Sequence, residues 1–156
     1  MIRAEILINN KAWKKYISNP SFYLKNRLKK AEKKITIFQT SKLSFTLLLS
    51  GHSEIKRLNK KFRKKNKATD ILSFPFHEKK SLYKLIKKNN NNNIYLGDII
   101  INLNKIIKNR KENDVLSFFD EIWIHGLVHL LGHRHESNKD FAVMQKLENK
   151  IIKSIQ

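Results

Sequence analysis

The chain contains no cysteine, so it can form neither a disulfide nor a thiolate metal site. Acids are scarce: 13 Asp and Glu stand against 33 Lys and Arg, a formal net charge of +20. No apolar run approaches the length that crosses a bilayer. Two prolines and four glycines in 156 residues leave few places where a helix or strand must break. Histidine is also rare, with six in all. Hydrophobic residues make up 40%, which excludes disorder as the default and suffices for one ordinary core. A surface this basic attracts polyanions, RNA and DNA first among them. The abundance of Lys, Asn and Ile is also what an A+T-rich genome produces, so charge speaks to partners and not to fold. The opening "MIRAEILINN" alternates Ile2, Ala4, Ile6 and Ile8 with polar neighbours, a strand pattern and not a signal peptide. A cytoplasmic protein is expected.

Hydrophobic periodicity predicts the elements. "KAWKKYI" reads as a short helix interrupted at Asn19-Pro20, and a second helix follows from Ser21 with Phe22, Leu24, Leu28 and Ala31 apolar. "KLSFTLLLS" alternates as a strand with one buried face. Ser53 is expected to cap a helix whose inner stripe is Ile55, Leu58 and Phe62. "TDILSFPF" is a short strand that Pro75 confines to an edge or ends. His77 to Asn93 reads as a surface loop with one helical turn at "LYKLI". "IYLGDIIIN" is a strand in which Gly97 marks a bulge or a close approach. A helix around Leu103, Ile106 and Ile107 precedes one from about Val115 to Leu131, apolar nearly all round and so central and buried. Ser137 caps a last helix, with Phe141, Met144, Leu147 and Ile151 facing inward. With no repeat or linker, residues 1–156 are expected to form one compact α+β domain. About four strands in a mixed sheet should pack with five to six helices.

The stretch "HGLVHLLGHRH" concentrates four of the six histidines between His125 and His135. His125 and His129 lie four apart on the central helix, so their side chains share a face one turn apart. That spacing suits two imidazoles on one metal. Gly132 accepts a left-handed backbone and can stop the helix, letting the chain turn His135 back toward the pair. His133, also four from His129, becomes the third ligand only if the helix continues. The spacing H-x3-H-x2-G-x2-H is that of the metzincin zinc motif, except that Gly126 stands where a peptidase has its glutamate base. Three imidazoles suit one Zn2+ per chain with a position open for water, and the missing base disfavours a peptidase.

Three ordered blocks resemble the YbeY family of bacterial endoribonucleases. "HGLVHLLGHRH" is similar to its signature H-G-x-L-H-L-x-G-[YH]-D-H. "LNKKFRKKNKATDILSFPF" and "LGDIIIN" look like its two upstream motifs. Arg134 departs from the Asp of that signature. The resemblance implies a single-domain, metal-dependent, single-strand-directed endoribonuclease. It also implies a role in ribosomal RNA processing, at the small-subunit 3′ end, and in ribosome quality control. It further implies that His125, His129 and His135 bind zinc and are catalytic, that Arg63 is the functional arginine, and that the partners are ribosomal RNA and the small subunit or its assembly factors. Neither a membrane nor specificity for DNA is expected. In chemical terms Arg63 can grip a phosphate through two N–H groups, although "KKFRKKNK" is also what a solvated basic face looks like. Asp70, Asp98 and Glu121 are candidates to orient a histidine, and Ser73 to lie beside the site. Two rivals remain: an RNA-binding assembly factor with a structural zinc, and a zinc hydrolase of another substrate.

Overall fold

A computed structural model describes residues 1–88 and 91–156. Its strands are β1 (Ile2–Ile8), β2 (Lys42–Ser50), β3 (Ile71–Pro75) and β4 (Asn93–Asn102). Its helices are α1 (Trp13–Tyr16), α2 (Pro20–Glu32), α3 (Thr36–Thr40), α4 (His52–Arg63), α5 (Lys79–Lys88), α6 (Leu103–Ile107), α7 (Glu112–Leu130) and α8 (Asn138–Ile155). The strands form one mixed sheet in the order β1-β2-β4-β3. β1, β2 and β4 run parallel, and β3 lies antiparallel to β4 on the free edge. The fold is thus one α+β domain with a four-stranded mixed sheet.

Strand alternation assigns the two sheet faces. Leu43, Phe45, Leu47 and Leu49 of β2 point into the main core, with Ile99 and Ile101 of β4 and eight residues of α7. Leu82 of α5 and Met144, Ile151 and Ile155 of α8 join the same core. On the opposite face α4 covers β3 and β4 over a smaller cluster of Ile55, Leu72 and Ile100 with Phe74 at its border, while Leu7 of β1 is exposed. The register between β2 and β4 shifts between Ser44 and Thr46. Gly97, at φ +130°, sits there, and a Cβ on it would lie 2.1 Å from the Phe74 carbonyl oxygen. Bulge and close approach therefore coincide at one glycine.

Several expectations need correction. Ser53 does not cap α4: the cap is Gly51, and the Asn104 side chain accepts from the His52 N–H in place of a local hydroxyl. Phe62 does not belong to the inner stripe of α4. Asn59 occupies it, buried, donating to the Lys67 carbonyl, while Phe62 is 56% exposed. Phe22 and Phe141 are likewise exposed, beyond the edges of the surfaces their helices cover. The stretch from His77 holds a ten-residue helix, α5, because Leu82 docks into the main core and fixes it. Of the expected surface loop, Asn89 and Asn90 lie outside the described residues. The eight helices among the described residues exceed the five to six expected, since α3 and α5 add to the set.

Candidate metal centre

α7 carries the site. It is acidic in its first turn, at Glu112 and Asp114, which complements the helix dipole. Gly126 faces the sheet. A Cβ there would lie 2.8 Å from Ile71 Cδ1 and 3.0 Å from Ile99 Cγ2. Glycine at this position lets the helix lie directly against β3 and β4. On one flank of Gly126, Trp123 and Leu127 are fully buried toward the middle of the sheet. His125 and His129 occupy the other flank, where the burial is only partial.

The helix ends as its glycine predicts. Gly132 adopts φ +84°. Its N–H donates to the His129 carbonyl, and the His133 N–H donates to the Val128 carbonyl. Together these form a Schellman closure. The reversal carries the chain back, and the His133 carbonyl then lies 2.9 Å from His129 Nδ1. An imidazole bonded to a carbonyl carries its proton on that nitrogen, so Nε2 of His129 is left with a lone pair facing the cluster. Burial, followed by the neighbouring His125 charge, lowers the pKa of His129 below its usual value and favours the neutral ring.

His125 is oriented by a residue that pattern reading missed. Glu148 Oε1 of α8 lies 2.7 Å from His125 Nδ1, which again leaves Nε2 to the cluster. The two Nε2 atoms stand 3.1 Å apart. Tetrahedral zinc with Zn–N near 2.0–2.1 Å separates its nitrogens by about 3.3–3.4 Å. His135 completes the group from the loop after Gly132, and one ligand atom from each of the three histidines lies within 4.8 Å of the others. Three imidazoles at this spacing, two of them with the far ring nitrogen engaged elsewhere, fit a divalent transition metal such as zinc. The set is half open, with His135 exposed and the His125 side chain 34% exposed. Glu148 is engaged at the far ring nitrogen of His125 and is not itself one of the clustered donors.

The other candidates are elsewhere. His133 contributes its carbonyl and not its ring, which packs beside Lys79 with its pKa lowered by burial and that charge. Asp70 accepts from the Ile71 N–H and the Thr69 hydroxyl, a cap at the start of β3. Asp98 accepts from the Tyr95 hydroxyl. Glu121 is exposed. None of these three orients a histidine. Arg134 is exposed and pairs with Glu136, so the departure from the family Asp falls outside the cluster. Arg63, in the last turn of α4, comes from the sheet face opposite α7. Its Nη2 donates to the Ser73 carbonyl at 3.2 Å, and its guanidinium lies over the Phe74 ring. The ladder from Asn102–Asp70 to Phe76–Leu96 turns the Ser73 peptide groups outward, so this carbonyl is on the free edge of β3. Ser73 itself is buried.

Comparison with known proteins agrees with this architecture. The family model described as "Endoribonuclease YbeY" matches residues 7–156. A protein of that name from Pelagibacter ubique is 40% identical, over 99% of this chain and 97% of its own. One from Thermodesulfovibrio yellowstonii is 36% identical, over 86% of this chain and 80% of its own. A solution structure of a Thermotoga maritima protein aligns with TM-score 0.55 at 27% identity, over 99% of this chain and 89% of that one. With motifs, fold and near-full-length similarity in agreement, the chain belongs to the YbeY family.

Proposed function

We propose that this chain is a zinc-dependent endoribonuclease that cuts single-stranded regions of ribosomal RNA in the cytoplasm. It acts at the small-subunit 3′ end and in ribosome quality control, alongside the small subunit or its assembly factors. One observation carries the reading: three imidazoles from α7 and its following turn converge on a half-open rim, with the second nitrogens of His125 and His129 held outside. The family names of the relatives supply the RNA substrate, and the charge of +20 suits it. His125, His129 and His135 hold the metal, which when bound supplies Lewis acidity toward water and phosphoryl oxygen. Glu148 and the His133 carbonyl keep the ring nitrogens pointed inward. Arg63, fixed at the β3 edge, has further N–H groups to donate to a phosphate and to meet charge that grows on it.

The structural-zinc reading is less well supported. A structural zinc closes its tetrahedron with four protein donors, and among the described residues no fourth His, Asp or Glu joins the three. A peptidase is disfavoured because the position of its glutamate base is held by Gly126, where even a Cβ would press on Ile71 and Ile99. The test uses defined single-stranded RNA with metal-stripped protein, zinc-reloaded protein, His129→Ala and Arg63→Ala. Cleavage should return with zinc and be lost in His129→Ala. Arg63→Ala should lower the rate at saturating RNA more than it weakens binding, and Arg63→Lys should not restore it, since a point charge lacks the planar fork. Cleavage unchanged in stripped protein and in His129→Ala would refute the enzyme reading.

A further inference from the structure

A basic protein has no folding reason to leave large aromatic rings in water, yet two exposed phenylalanines, Phe62 and Phe76, gather with the half-buried Phe74 and Tyr95 on one part of the sheet. Phe74 and Phe76 are two residues apart, so they share the face opposite α7, about 6.6 Å along the strand. Phe76 is 68% exposed, just past the end of β3, and packs edge-on to Tyr95 at 5.7 Å and to His77 at 5.0 Å. The Tyr95 hydroxyl is held by Asp98 and Thr46, which pins its ring. Phe62, itself exposed, packs edge-on to Phe74 at 5.3 Å. α4 covers the β3–β4 part of this face and stops here.

The cations lie in the same place. Lys61 Nζ is 5.2 Å from the centre of the Phe62 ring, and the Arg63 guanidinium lies over Phe74. From Lys56 to Lys67, eight of twelve residues are basic and none is acidic. A cavity beside Phe76 and Tyr95 is walled by Lys42 and Lys88, with Glu32 as its one acid. Phe76 also connects to the metal centre: the chain continues through His77 and Glu78 to Lys79, whose Cα lies 3.0 Å from the Cβ position of Gly132. The platform and the histidines are thus on the two sides of one edge strand, with Arg63 at the edge between them.

We propose that Phe76 and Phe62 form a stacking platform for unpaired bases of the RNA strand whose phosphodiester is at the histidine centre. This rests on the RNA reading above and adds where the flanking nucleotides go. Exposed rings offer π-faces to any base, and interleaved cations follow the phosphates, the combination single strands require. A double helix keeps its bases stacked on each other and cannot use these rings, so the platform selects single strands.

The experiment measures affinity of zinc-loaded protein for a short single-stranded RNA at several salt concentrations. The proteins are wild type, Phe76→Ala, Phe62→Ala, Phe76→Leu and Lys61→Ala. Both alanine variants remove an exposed side chain, and thermal melts confirm that each folds. Each should weaken binding by about 5- to 150-fold without changing the salt slope, because stacking releases no counterions. Phe76→Leu should resemble Phe76→Ala. Lys61→Ala should flatten the slope by about 0.7, one phosphate contact on a single strand. The same RNA folded into a duplex should bind wild type and Phe76→Ala equally. Alanine variants within twofold of wild type, or a leucine variant that binds as wild type does, overturn the platform. If wild type binds no RNA, the RNA reading fails as well, which is a different result.

Discussion

Replacing Glu148 tests the metal centre without touching a ligand. Its carboxylate lies 2.7 Å from His125 Nδ1, on the side of the ring away from the other two histidines. With the bond in place, the proton stays on Nδ1 and Nε2 faces His129 Nε2 at 3.1 Å. In Glu148→Ala the ring can rotate, and its proton can move to the nitrogen the metal needs. Loss of such a partner typically reduces metal affinity 10- to 100-fold, about 1.4–2.7 kcal/mol. Here the His125 and Glu148 side chains are 34% and 20% exposed. Water can replace the lost acceptor in part, which puts the expectation near tenfold, about 1.4 kcal/mol. Glu148→Gln keeps an acceptor and loses the charge, so it should lie between wild type and alanine. Metal-free stability should change by no more than about 1.5 kcal/mol, the usual range for one side-chain hydrogen bond. Competitive zinc titration against a chelator measures the first quantity, and denaturant melts of stripped protein the second. Wild-type zinc affinity in Glu148→Ala would refute the orienting role. A large stability loss in the metal-free protein would show that Glu148 serves packing instead.

Zinc content should fall far more in His135→Ala than in His133→Ala, because His133 serves through its carbonyl; metal analysis giving the reverse order would reassign the third ligand. Gly126→Glu should cost about 3 kcal/mol or more in denaturant melts and confer no peptidase activity, since the side chain meets Ile71 and Ile99 and buries a carboxyl. Burial raises the pKa of Asp120 above its ordinary 3.8, against the opposing pull of Trp123, Arg27 and Tyr23. Folding thus favours the protonated acid, a contribution complete below that ordinary value and lost as pH rises through the raised one. The stability of wild type minus that of Asp120→Asn should therefore decrease from about pH 4 toward neutrality, and an increase would show that the three partners outweigh burial.

The strands and long helices were legible because each satisfies one strong periodicity. β2 buries every second residue from Leu43 to Leu49, and α7 is apolar on nearly every side. The histidines at positions 125, 129 and 135 were legible because spacing on one helix and a stop at Gly132 are local matters. The errors are tertiary. Phe62 and Phe141 sit at positions a helical stripe would bury, but a helix that overhangs its support exposes the end of the stripe. α5 looked like a loop because its basic sequence supports a helix only once Leu82 is docked. Asp120 hydrogen-bonds Tyr23 of α2 and Trp123, a connection across nearly a hundred residues that no local pattern announces.

Glu148 is the instructive miss, because a signal existed. Met144, Glu148 and Ile151 stand at i, i+4 and i+7 on α8, and both apolar members are buried in the main core. A carboxylate on an inward stripe must find a donor or be expelled. Asp70, Asp98 and Glu121 were better placed by sequence proximity to motifs, yet each has a local partner or faces solvent. What decides among acids is which helix crosses α7 at His125, and that follows from packing and not from spacing. Packing also decides where Arg63 sits. It comes from the sheet face opposite the histidines, and its proposed grip on a phosphate depends on the free edge of β3, across which one RNA strand would be reached from both sides. A longer or paired β3 would separate them, so the brevity of "ILSFP" matters to the site as much as the histidine spacing does.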